Sequence, residues 1–389
     1  MSDEIQDVLF VISYDSYADA AKQVATALRS RVTSMRFLVM TQDGKQFFSG
    51  ARLAALKALG SVSYAEVSSV PDEASRLKPN VSFLFFAGPE LERTIRMIHA
   101  NQDTPPVCVS CFPGVVLYRQ EMGFSQRLTS DVILINSRQN MVDYQAYCVR
   151  IGASSENALL FGFPALLDVK ARVGYSTPPA KVAYIDQNGV PASHAERFRL
   201  AQSLVRYAQH FPERELWILC RDSAHNRSAH TGAYPIDDLL LVSAGGALPK
   251  NIRISTAPAE EILCDIDLCI GIASTVLVHA ISRNIPTAVL GDFGWSPYLG
   301  NLLFKGSGLE CSFQALLRDI PIASPSAEWF AANVSPPEEQ MNLLVDRLVR
   351  VHNGSDRRIH NDAVAMFRSK SGSRWRRGVR IISRVLGWR

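Results

Sequence analysis

No apolar run in the chain approaches the roughly 20 residues that a membrane-spanning helix requires. No G-x-G-x-x-G follows any predicted strand, and no Walker-A sequence occurs. Ile12-Ser13-Tyr14-Asp15-Ser16 stands where a dinucleotide fingerprint would be needed, so a dehydrogenase reading is disfavoured. Charge of one sign is scarce too: the formal net charge is +4, too small to mark the whole chain as a nucleic-acid binder. Glycine (23) and proline (20) are too few for large-scale disorder in 389 residues. The seven cysteines are an odd number, and Cys108, Cys148, Cys264 and Cys269 lie in apolar runs, as reduced core residues do. Cys108 and Cys111 form a C-x-x-C, but no second pair stands at zinc spacing, so no metal centre is expected. The acidic start, Met-Ser-Asp-Glu-Ile-Gln-Asp, runs directly into a strand and does not read as a signal peptide. The expectation is a cytoplasmic protein, peripheral at most on the inner face of the cytoplasmic membrane.

With 47% hydrophobic and 20% charged residues, the chain can build two ordinary cores. Apolar strands alternate with helical patterns along most of its length. Predicted strands fall at Asp7 to Ser13, Arg36 to Met40, Val62 to Val67, Val81 to Ala87, Pro106 to Ser110, Val132 to Asn136 and Ala158 to Gly162. Ala171 to Ala180 reads as a linker. A second alternating series starts at Lys181 and includes a helix capped by Ser193, with Glu196 at the capping-box position. The predicted fold class is α/β: two Rossmann-like domains facing each other across a cleft, followed by a basic helical segment. The expected boundaries are 1–170, 171–345 and 346–389.

The most informative stretch runs from Ile266 to Gly294. A short buried strand ends in Ala273, Ser274 and Thr275, a helical pattern follows, and Thr287 to Leu290 forms another strand. A turn of this kind offers two hydroxyls and the orphan amides of a helix start, which together suit a phosphate. Helix capping alone also explains a Ser-Thr pair at this place.

Asp15 stands just past the first strand, either as a general base for an acceptor hydroxyl or as the cap of the next helix. Asp186 and Asn188 hold the equivalent loop of the second domain, where they contact a nucleotide or make a turn. The segment Arg221 to Tyr234 is rich in polar donors. Arg221 and Arg227 suit phosphate, and His225 is a candidate ligand of a phosphate or leaving group. Glu260 either accepts from a ribose or base, or serves as favourable charge at a helix start. Asp292-Phe293-Gly294 matches the kinase triplet by letters only, and Asn301 either lines a cleft or shapes a loop.

From Arg357 onward ten Lys or Arg face a single acid, Asp362. Trp375, Val379, Ile382 and Leu386 share one helical face there, so the segment either lies on a membrane surface or packs across the first domain. Nucleic acid is not an expected partner.

At these residues the chain resembles a bacterial family of glycosyltransferases. The likeness rests on Tyr14-Asp15-Ser16-Tyr17, Phe112-Pro113-Gly114, His194-Ala195-Glu196-Arg197, Ala273-Ser274-Thr275 running into Asn284-Ile285-Pro286-Thr287, and Asp292-Phe293-Gly294. More distantly it is similar to the bacterial sialyltransferases and polysialyltransferases of GT-B fold. That resemblance implies a CMP-linked nonulosonic acid donor, a cell-surface glycan acceptor, and inverting, metal-independent transfer without a further cofactor. It assigns the base to Asp15, the histidine motif to His225 and the donor phosphate to Ser274 and Thr275. Related readings are a polyol-phosphate transferase of the teichoic-acid type and a non-catalytic nucleotide-sugar-binding scaffold.

Overall fold

The computed structural model describes residues 5–354, apart from 47–49, 101–103, 116–119, 168, 173, 188, 221–233 and 337–338. The chain divides into two compact units, one built from the residues up to Leu167 with those from Pro336 onward, the other from 168–335.

The first unit holds β1 (Asp7–Ile12), β2 (Ser34–Gln42), β3 (Lys45–Gln46), β4 (Ser61–Glu66), β5 (Val81–Phe85), β6 (Val107–Cys111), β7 (Val132–Ile135) and β8 (Ala158–Leu160). Their order is β4-β2-β1-β5-β6-β7-β8, all parallel, with β3 folded back antiparallel on the end of β2. Central β1 shows why the run is apolar throughout. Val8, Phe10 and Ile12 enter one core while Leu9 and Val11 enter the core on the opposite face, because successive side chains alternate and both faces are covered. Phe10 stacks on Phe37 and Phe83, with ring centroids 5.3 and 4.7 Å away.

The second unit holds β9 (Lys181–Ile185), β10 (Glu215–Leu219), β11 (Ile252–Ser255), β12 (Leu268–Gly271), β13 (Thr287–Leu290) and β14 (Glu310–Cys311). They form one parallel sheet in the order β11-β10-β9-β12-β13-β14. Each unit is thus a Rossmann-like parallel α/β layer, as the alternation of strands and helices in the sequence predicts.

Two segments differ from the linear reading. The stretch expected as a linker is tied to the second unit, since the Asp267 carboxylate accepts from the amides of Ser176, Ala180 and Lys181 and pairs with Arg172. The helix Gln340–His352 packs on the first unit, where Leu344, Leu348 and Val351 join the core that holds Phe10. Its apolar stripe has helical period, but the stripe does not say which sheet it covers. Among the described residues no helix is long and apolar enough to cross a membrane. The basic amphipathic segment expected from Arg357 onward lies outside the described residues.

Candidate functional site

Strand order locates the ligand loops of each unit. In an open parallel sheet the chain leaves neighbouring strands in opposite directions where the order reverses, and a crevice opens outside their carboxyl ends. In the second unit the reversal falls between β9 and β12. Ser274 and Thr275 follow β12, and Asp186 follows β9.

Ser274 is the extended N-cap of the helix Thr275–Ser282, and its hydroxyl accepts from the Val276 amide at 3.2 Å. Leu277, Val278, Ala280 and Ile281 are buried and hold this helix on the sheet. Gly271 makes room for this approach, because a Cβ there would meet a Leu277 methyl at 2.9 Å and the leucine would have to shift. Ser274 and Thr275 themselves are only half-buried, so the start of the helix is accessible. A helix start combines unsatisfied amides with the positive end of the dipole, and a hydroxyl pair adds donors for phosphate oxygens.

Asp186 turns inward instead. Its carboxylate accepts from Arg197 at 3.0 and 3.2 Å, and both side chains are 2% exposed. Burial pushes the Asp186 carboxyl above the ordinary aspartate range, and the Arg197 charge opposes that shift. The same guanidinium donates to the carbonyls of Gln187, Val190 and Tyr234. Arg197 therefore fastens the turn after β9 to the residue that follows 221–233. Its helix, His194–His210, starts as the sequence predicts: Ser193 caps the Glu196 amide, and the Glu196 carboxylate accepts from the Ser193 hydroxyl. The motif containing Arg197 was legible, but no sequence signal assigned the arginine its five hydrogen bonds.

Of the remaining candidates in this unit, Asn188, Arg221, His225 and Arg227 lie outside the described residues. Glu260 is placed on the short helix Ala259–Leu263. The Asp292 carboxylate accepts from the Phe313 amide and so helps hold the start of the helix Phe313–Leu317, whose N-cap is Ser312. Asn301 is fully buried and bridges the Ser296 amide and the Gly294 carbonyl, so it shapes a loop.

In the first unit the order reverses between β1 and β5, and Asp15 follows β1. Tyr14 occupies the cap position and Asp15 is the first residue of the helix Asp15–Leu28, where its charge suits the dipole. The Asp15 side chain is 42% exposed, with an Arg52 nitrogen 3.5 Å from one carboxylate oxygen. Asp19 grips the same arginine in a fork, at 2.8 and 2.9 Å, and so fixes it beside Asp15. Neither Arg52 nor Asp19 was evident from sequence, because the partner helix is 33 residues away.

One turn into the same helix, Tyr17 is buried, which pushes its phenol up to about 12. Its hydroxyl accepts from Arg127 at 2.8 Å. Arg127 is 2% exposed, donates to the carbonyls of Cys111 and Gly123, and lies 4.1 Å over the Phe112 ring. It has no ion-pair partner among the described residues. Two of the motif stretches, Tyr14 to Tyr17 and Phe112 to Gly114, are thus joined through this one buried cation. Replacing Arg127 with Met is expected to cost roughly 2–4 kcal/mol in chemical denaturation, because three acceptors lose their donor, whereas Tyr17→Phe is expected to cost about 1 kcal/mol. Equal losses for the two variants would show that the arginine is not the organising group.

Residues 8–349 match the family model described as "Putative glycosyltransferase (DUF6716)". No curated protein matches the chain in sequence. Among solved structures, the fold is similar to that of MnaA of S. aureus in its complex with UDP, at TM-score 0.62 and 9% identity over 90% of this chain and 97% of the other. The UDP-GlcNAc 2-epimerase of Neisseria meningitidis, bound to UDP-GlcNAc, gives TM-score 0.56 and 9% identity over 88% and 98%. The wall teichoic acid polymerase TagF, as its H444N variant, gives TM-score 0.54 and 11% identity over 93% and 89%. At such identities the likeness is one of fold.

Proposed function

The chain belongs to the DUF6716 glycosyltransferase family, and from that premise we propose that it moves a sugar from a nucleotide-sugar donor to a hydroxyl of a cell-surface glycan or glycoconjugate. The observation that carries this reading is the position of Ser274 and Thr275, half-buried at the reversal of the second sheet and opening an eight-residue helix. In this scheme the donor phosphate rests on that helix start. Asp15 takes the proton of the acceptor hydroxyl, the freed oxygen pair attacks the anomeric carbon, and the bond from that carbon to the phosphate oxygen breaks. Its electron pair leaves on the phosphate, and configuration inverts. The helix amides and hydroxyls stabilise the departing charge, as preorganised donors do.

We favour a UDP-linked sugar, because two neighbours of this fold bind UDP or UDP-GlcNAc. A CMP-linked nonulosonic acid is what the resemblance to the bacterial sialyltransferases implies, and the likeness to the wall teichoic acid polymerase TagF favours a polyol-phosphate donor. A thermal-shift panel of CMP, CDP, UDP and GDP separates them. Stabilisation by UDP supports the favoured donor, CMP alone moves the assignment to a nonulosonate, and CDP to a polyol phosphate. Silence from all four removes the nucleotide-sugar reading.

Thr275→Val keeps the side-chain volume and leaves the Ser274 cap in place. It is expected to weaken donor binding roughly tenfold or more by calorimetry, the usual loss for a hydrogen bond to a charged group. Ser274→Ala removes the cap as well and is expected to lose about 1 kcal/mol of stability in addition. An unchanged donor Kd in the Val variant would mean that the pair only caps the helix.

A further inference from the structure

His99, Cys108 and Asp131 converge at the opposite end of the first sheet from Asp15. One ligand atom of each lies within 4.8 Å of the other two. Cys108 is the second residue of β6 and Asp131 directly precedes β7, whereas Asp15 follows the carboxyl end of the parallel strand β1. We propose that these three side chains form a zinc site that clamps the helix Pro89–Ala100 to the β6–β7 pair.

The backbone preorganises two of the ligands. The Asp131 amide donates to the Cys108 carbonyl at 2.9 Å, and the Cys108 amide donates to the Asp131 carboxylate at 2.7 Å. The third comes from the last turn of the helix, which Leu91, Ile95 and Ile98 bind to the core that contains Cys108. His99 Nε2 is 3.3 Å from Asp131 Oδ2 yet has no hydrogen-bond partner among the described residues, although the atom is shielded from solvent. Among the described residues the buried Asp131 carboxylate is met by the Cys108 amide and by a single ion-pair partner, His99, so its charge leaves room for further compensation. A dication placed among the three atoms supplies it, because thiolate, carboxylate and neutral imidazole sum to two negative charges.

The ligand chemistry selects the ion. Thiolate, imidazole and carboxylate suit borderline zinc, whereas magnesium and calcium prefer oxygen alone. At metal–ligand distances of about 2.0–2.3 Å, tetrahedral ligand atoms are roughly 3.3–3.8 Å apart, so an adjustment on the order of 1 Å closes the site. The His99 side chain is 25% exposed, which leaves an edge for entry and for a water as fourth ligand. Cys111 takes no part. Three residues along a strand reverses the side-chain direction, and its thiol lies in the core on the other face.

The test is titration of the untagged, metal-stripped full chain with cobalt(II), a spectroscopic stand-in for zinc. One equivalent is expected to give a thiolate-to-cobalt charge-transfer band with tetrahedral ligand-field absorption, and zinc is expected to displace it. Cys108→Ser and His99→Gln should each lose the band, while Cys111→Ser retains it. Because His99 is partly exposed, its variant keeps the test valid should Cys108→Ser misfold. Absence of a cobalt band in the unmodified chain overturns the site, as does a band that survives His99→Gln or disappears with Cys111→Ser.

Discussion

Asp15→Asn is expected to slow sugar transfer by roughly 10²–10⁴-fold while leaving the donor Kd unchanged, the range that a positioned general base contributes. The substitution preserves shape and hydrogen-bonding length but removes the ability to take a proton. Asp15 is well placed for the experiment because it belongs to the first unit, whereas Ser274 and Thr275 belong to the second. A binding defect and a chemical defect therefore fall on different variants. Arg52 complicates the reading in one respect: it pairs with Asp15 at 3.5 Å and could be released by the change. The fork from Asp19 holds Arg52 independently, so the local structure should persist. Transfer at the unmodified rate would remove Asp15 as the base. An unmodified chain that binds donor but transfers nothing would instead point to a scaffold.

The second large effect concerns stability. Arg197→Met is expected to destabilise the second unit by about 3–5 kcal/mol, since it strands the buried Asp186 carboxylate and strips the donor from three loop carbonyls. For a unit of this size that lowers Tm by on the order of 10 °C. The pH dependence carries a sign. Burial already raises the Asp186 carboxyl, and loss of the opposing Arg197 charge raises it further. A carboxyl raised in the folded state favours folding below its unfolded value and loses that contribution as pH climbs through the folded one. The deficit of the variant should therefore shrink as the pH falls towards the ordinary aspartate range. Adding Asp186→Leu should restore part of the loss at neutral pH, because an apolar pair removes the unpaired charge. A double variant no more stable than Arg197→Met would show that the carbonyl contacts, not the ion pair, dominate.

Legibility followed the range of the interactions. The alternation of strands and helical patterns read from the sequence holds, with helices such as Pro89–Ala100 and Arg138–Ile151 between the strands. The Ser193 cap and the Thr287–Leu290 strand also follow from local pattern. Val70–Leu77 and Ile236–Ser243 are among the helices that the sequence pattern did not show. Val70–Leu77 is short and carries Pro71, which reads as a turn signal although proline is well tolerated in a first helical turn. Ile236–Ser243 follows a polar stretch, and its continuous apolar run lacks a clear period. Asp15 is the first residue of its helix rather than the cap, which places the carboxylate inside the first turn and not before it.

Alternation of buried strands and amphipathic helices determined, from the sequence alone, that the chain builds two parallel α/β units, because burial on both faces of a sheet leaves a continuous apolar signature. The same pattern placed Asp15 and the Ser274-Thr275 pair immediately after strands. Only the tertiary structure decided that both follow strands at a reversal of order, since strand order is set by long-range pairing that no local window contains. It also decided that Asp186 faces Arg197, that Arg127 joins Tyr17 to Phe112, and that His99, Cys108 and Asp131 meet. Each of these depends on which residues distant in sequence share a side of the sheet, and close packing settles that question.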